Sequence, residues 1–144
     1  MKTKYIFEIL QEIAKTKKKN DKIKILKTHE SWALKDVIRG SMDKSLKWII
    51  PDGEPPYTPS EAHNHPTDLR RQNSKFKYFV EGMEMKTPQF KKERMFLLML
   101  EGIHPQDAQV VVNMINKKTP KGLTRAIVEE TFPGLIKGLS LIHI

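Results

Sequence analysis

The chain contains no cysteine. That excludes disulfides, thiolate metal sites and a thiol nucleophile. It has no apolar run near the roughly 20 residues needed to cross a bilayer. The opening MKTKYIFEIL is broken by Glu8, Gln11 and Glu12, which argues against a signal peptide. No glycine-rich phosphate loop and no nucleophile–base pair can be read in it. Negative charge is scarce: 17 acidic side chains face 26 basic ones, for a net charge of +9 and a pI of about 9.7. A soluble chain with such an excess meets something anionic, and nucleic acid comes first. These absences leave an intracellular, cytoplasmic domain that needs no membrane, metal or cofactor.

What is present is helical periodicity. Tyr5, Ile6, Ile9, Leu10 and Ile13 predict a helix from about Lys4 to Lys15. Asp21 starts a second helix carrying Ile23, Ile25 and Leu26, after a lysine turn at 17–19. Ser31 suits the N-cap of a third, with Leu34, Val37 and Ile38 inside and Gly40 at its end. Leu46, Trp48, Ile49 and Ile50 suggest a fourth short helix over Ser45 to Ile50. Phe76, Phe79, Val80 and Met83 suggest a fifth from Lys75. Thr87-Pro88 reads as an N-cap with proline at the first helical position, opening a largely buried helix that Gly102 stops. His104-Pro105 opens another through Ile115, and Leu123 to Thr131 forms the last before Pro133-Gly134. No strand alternation stands out. The expected class is all-α, a compact bundle of seven or eight short helices forming one domain over residues 1–137.

Residues 51–74 differ in kind. They hold five prolines and read as one long loop inserted in the domain, with a linker between two small bundles as the competing reading. His63, His65 and Asp68 sit there, but further ligands are wanting, so a solvated turn is expected rather than a metal site. Arg70 and Arg71 suit a phosphate contact or a mobile loop equally. Trp32 and Trp48, at helical spacing among aliphatic neighbours, are assigned to the core rather than to base stacking. The apolar ending, residues 138–144, is set apart as a tail of doubtful origin. It resembles a translated sequencing-adapter fragment, and the natural chain is expected to continue differently after about Lys137.

The most informative stretch is Met114 to Ile136, MINKKTPKGLTRAIVEETFPGLI. Lys117, Lys118, Lys121 and Arg125 cluster where the backbone turns into a new helix. Free N–H groups and the dipole at a helix start suit a phosphate. Gly122 lets backbone approach an anion closely.

The segments YIFEILQEIA, ALKDVIRGSMDKSLKWII and TRAIVEETFPGLI, in that order, resemble the N-terminal DNA-binding domain of T4-type bacteriophage ATP-dependent DNA ligases. The resemblance runs from about Ile6 to Ile136 and fits the proline-rich loop least. It implies a helical domain that grips duplex DNA from the minor-groove side, in replication or repair alongside other replication proteins. For a phage-encoded chain the location would be the host cytoplasm. Carried over residue by residue, one contact region is Arg39, Gly40, Ser41 and Lys44. The other is Lys118, Thr119, Gly122 and Thr124. The ligase signature K-x-D-G is missing: Asp52-Gly53 is the only Asp-Gly, with Ile50 where the lysine nucleophile would stand. The expectation is therefore a non-catalytic duplex DNA-binding module, possible sites of action including nicks. The alternatives are an interaction or regulatory module with a basic face, or the front of an active ligase.

Overall fold

A computed structural model describes residues 4–50, 53, 55–81 and 88–136. Among these the fold is all-α, with helices α1 (Ile6–Lys15), α2 (Lys19–Thr28), α3 (Trp32–Met42), α4 (Leu69–Gln72), α5 (Gln89–Gly102), α6 (Pro105–Ile115) and α7 (Arg125–Thr131). A 3-10 helix, Asn73–Phe79, continues α4. The expected tail at 138–144, Met83 and the Thr87 cap lie outside the described residues.

Packing follows the apolar faces. Ile6, Ile9 and Ile13 on α1, Leu34, Val37 and Ile38 on α3, and Val111, Met114 and Ile115 on α6 are buried together. Helix α3 lies against α6, α2 against α7, and α1 against both α2 and α6. One core draws on helices before and after the proline-rich loop. Ser31 caps α3 as the sequence implies, His104 caps the helix it is expected to open, and Thr124 caps α7 one residue after the expected start at Leu123. The Ser31 hydroxyl accepts from Leu34 N–H, His104 Nδ1 accepts from Gln106 N–H, and the Thr124 hydroxyl accepts from Ile127 N–H.

Several expectations fail for identifiable reasons. The segment Ser45 to Ile50 is not a helix. Ile49 N–H donates to Phe79 O at 2.8 Å, Glu81 N–H donates to Lys47 O at 2.7 Å, and Trp48 pairs with Val80 as an isolated bridge. Six apolar-rich residues before a proline fit either period, and the Phe79–Glu81 edge decided the matter. The expected helix from Lys75 is instead the 3-10 segment that begins at Asn73 and ends before Val80. The loop does not run to residue 74. The Asp68 side chain accepts from Arg71 N–H and Leu69 is buried, so α4 starts inside it. The loop is also tied down: Thr67 N–H donates to Gly102 O at 2.9 Å and the Ser60 hydroxyl donates to Glu101 O. Pro88 occupies the cap of α5 rather than its first turn. That helix buries Phe96, Met99 and Leu100 but exposes Phe90 and Leu98, so it is one-sided. Trp32 is 73% exposed, with Lys35 Nζ 4.9 Å from the ring centroid, so the core assignment fails for it. Trp48 is half-buried and packs on the core.

Gly40 does not end α3, which runs on to Met42. It lies under the Trp48 and Met114 side chains. A Cβ there would stand 2.6 Å from the Trp48 ring and 2.7 Å from Met114 Sδ. Methionine can yield, but the Trp48 indole is held by its own N–H bond to Gly40 O at 3.0 Å. Gly40→Ala is therefore expected to destabilise by about 1–2 kcal/mol despite the better helix former. Denaturant unfolding measures this, and an unchanged midpoint would contradict the close packing.

Asp107 is buried on α6, where its Oδ1 accepts the Phe7 N–H of α1 at 2.9 Å. Burial pushes its carboxyl from 3.8 up to about 6, against the pull of the Phe7 amide and Arg70. Because the folded value is the higher one, the stability linked to this proton is fully present below pH 3.8. It is lost as pH rises through about 6. His104 works the other way. Burial and the neighbouring His65 lower its value below 6.5, so its contribution is present above that pH and lost as pH falls. Asp107→Asn keeps an acceptor for Phe7 without the charge. It is expected to raise stability at pH 8 by on the order of 2 kcal/mol and to change little at about pH 3, below both values. Unfolding curves at the two pH values test this, and a variant no more stable than wild type at pH 8 would contradict it.

Candidate nucleic-acid interface

The two basic segments meet. Arg39 to Lys44 forms the C-terminal end of α3, not a turn that opens a helix. A helix C-terminus presents carbonyls and the negative dipole end, which suits cations. Lys117 supplies one: its Nζ donates to Gly40 O and to Asp43 O, both at 2.8 Å. Burial there lowers the Lys117 pKa, and Asp43 opposes the shift. Lys117 therefore ties the two segments together, with two of its three ammonium N–H groups spent on carbonyls.

The backbone around Lys117 is built for that role. Lys118 N–H bonds to Asn113 O and Lys117 N–H bonds to Met114 O, both at 3.0 Å. This is the Schellman closure of α6, and Lys117, at φ 58°, fills the left-handed position that usually takes glycine. The chain then turns again. Leu123 N–H bonds to Pro120 O at 3.1 Å, with Gly122 at φ 87°. The lack of a Cβ at Gly122 has a local use. A Cβ would meet Ile13 O at 3.0 Å and Ala14 Cα at 3.1 Å, so the turn is laid directly on α1. Gly122 O accepts from Lys22 Nζ at 2.8 Å.

Two clefts open beside this junction. The first, about 450 Å³, has the apolar floor Phe7, Leu10 and Val110, with Gln11, Gln109 and Asn113 around it and Lys118 and Lys121 at one side. The second, about 400 Å³, carries Lys44, Lys47 and Lys117. Ser41 and Thr119 line both, so the clefts are neighbours across them. Among the described residues no carboxylate lines either. Lys44, Lys47, Lys117, Lys118 and Lys121 are exposed, and of these Lys117 has its ammonium on the α3 carbonyls.

Arg39 lines a different cleft, beyond Trp48. Gly40 is buried. Thr124 and Arg125 are exposed but line neither basic cleft, and the Thr124 hydroxyl already caps α7. Lys47 and the amides Gln11, Gln109 and Asn113 were not among the sequence candidates. Nothing in the sequence beyond its positive charge marks the first of them. His65, expected in a solvated turn, is half-buried. Its Nδ1 bonds to Thr67 O at 2.8 Å, its Nε2 lies 3.1 Å from the Tyr5 hydroxyl, and it packs edge-on to His104. No metal-binding group of three acidic or histidine side chains occurs among the described residues.

No curated protein matches the chain. A family model described as a family of unknown function (DUF6433) matches residues 9–121, from α1 through the turn at Lys121. The match spans both segments that bound the clefts, and the chain belongs to that family.

Proposed function

We propose that the chain is a non-catalytic DNA-binding module that grips the duplex backbone with the paired basic clefts. The observation that carries this reading is the set of exposed lysines Lys44, Lys47, Lys118 and Lys121, beside Lys117 on the α3 carbonyls, on adjoining clefts lined by no carboxylate among the described residues. A polyanion gains from each lysine and meets no opposing charge. Such contacts fix position but carry little sequence information, so binding should be nearly independent of sequence. The net charge of +9 steers the encounter. The resemblance to the ligase DNA-binding domain adds a minor-groove approach and a role in replication or repair.

A second reading has its own support. The apolar floor of the first cleft beside Lys118 and Lys121 would also suit an acidic amphipathic helix of a protein partner. Gel shifts with intact duplex, nicked duplex and single-stranded DNA of mixed sequences separate the two. Duplex binding alike across sequences supports the DNA reading. No shift with any of them at about 50 mM salt, where phosphate contacts are least screened, would end it.

A further inference from the structure

Beyond Trp48 lies a third cleft, of about 440 Å³, between α3 and the 3-10 helix. Leu46 and Trp48 line both it and the second basic cleft, so the two open on either side of one wall. Its volume falls within the roughly 300–1,000 Å³ of small-molecule sites. The walls are apolar and partly aromatic: Trp48 and Phe76 stand edge to face, centroids 6.1 Å apart, with Val80 beside them. Five of the nine lining residues are polar: Asp36, Arg39, Asn73, Ser74 and Lys77. Asn73 Nδ2–H donates to Asp36 Oδ2 at 2.7 Å. Arg39 and Lys77 bring positive charge to the same cleft. Arg39 Nε is buried with no hydrogen-bond partner among the described residues; the Asp43 carboxylate stands 3.8 Å away.

We propose that this cleft takes one unpaired nucleotide of bound DNA, its base laid against the wall that Trp48 and Val80 form, its N–H edge on Asp36 and its phosphate on Arg39. The inference rests on the DNA-binding reading, since the basic clefts next door would carry the flanking strand. A free phosphate would use Arg39 and Lys77 but leave the aromatic walls idle and meet Asp36. A base uses all of them. Guanine fits best, because its edge offers adjacent N–H donors to one carboxylate. Burial raises the Asp36 pKa, against Asn73 and Arg39, so donors from a ligand would relieve a half-desolvated charge. A paired base cannot enter, because its edge and faces are occupied within the duplex.

The test is fluorescence anisotropy on three duplexes of one sequence: fully paired, with one extra dG bulged out, and with an abasic nucleotide bulged at that place. Stacking and edge contacts should make the dG bulge bind at least about fivefold tighter than the paired duplex, and the abasic bulge should lose that gain. Ser74 is exposed and lines the cleft. Ser74→Leu should narrow it and bring the ratio near one while affinity for the paired duplex and the helical circular dichroism stay unchanged. Asp36→Asn should lower the ratio for dG without touching paired duplex. Equal affinity for all three duplexes would overturn the inference and leave duplex binding standing. A preference that the abasic bulge shares, or that Ser74→Leu keeps, would overturn it too, because flexibility or another surface would then explain it. No binding to any duplex would remove the DNA reading and this inference together.

Discussion

Replacing Lys118 and Lys121 together by glutamate is expected to weaken duplex binding by roughly a hundredfold near 50 mM salt. Both are exposed and line the first cleft on its side toward Thr119. A charge-assisted hydrogen bond contributes roughly 1.5–3 kcal/mol, or about tenfold or more for each lysine replaced. The loss should be the same for all sequences, and the slope of log K against log salt should flatten by about two. Folding should barely respond, because exposed substitutions change stability by less than about 0.5 kcal/mol. Unchanged affinity in a double variant with normal helical circular dichroism would move the interface away from this turn.

Lys117 should behave in the opposite way, although it is the neighbour of Lys118. Its ammonium donates to Gly40 O and Asp43 O, and its backbone stands at φ 58°. A non-glycine residue there costs roughly 1–2 kcal/mol, and the side-chain bonds offset it. Lys117→Ala keeps the backbone strain and loses both bonds. The two carbonyls retain Trp48 Nε1–H and Leu46 N–H, so the loss should be about 2 kcal/mol rather than the sum for two bonds. Lys117→Gly loses the same bonds but relieves the backbone, so it should be about 1 kcal/mol more stable than Lys117→Ala. Neither should change the salt slope of DNA binding, because Lys117 holds carbonyls and not a phosphate. Equal stability of the two variants, or a slope reduced by about one, would assign Lys117 to the DNA surface instead.

The helices that carry a clear 3.6-residue stripe were legible in the sequence. Ile6, Ile9 and Ile13 mark α1, Ser31 marks the start of α3, and His104-Pro105 marks α6. What escaped was set by tertiary packing. Ser45 to Ile50 could be helix or extended, and only the edge at Phe79–Glu81 fixes it as extended. Gly40 reads as a stop signal, yet it lies within α3 because Met114 and Trp48 need the space of its missing Cβ. The lysine cluster at 117–121 was visible as charge, but not the division of labour within it. That division depends on where the end of α3 lies in space. Lys117 bonds back onto that end, whereas Lys118 and Lys121 line the open first cleft. The convergence of residues 39–44 with 117–121 was likewise invisible in the chain order, because α6 creates it by packing on α3.

The most direct measurement is the affinity of the wild-type chain for an intact duplex of mixed sequence between about 50 and 300 mM salt. Four lysines, Lys44, Lys47, Lys118 and Lys121, are assigned to phosphates, so log K should fall against log salt with a slope of about −4. A second duplex of unrelated sequence should give the same line. A slope near zero, or binding to one sequence alone, would contradict a backbone grip by the paired basic clefts.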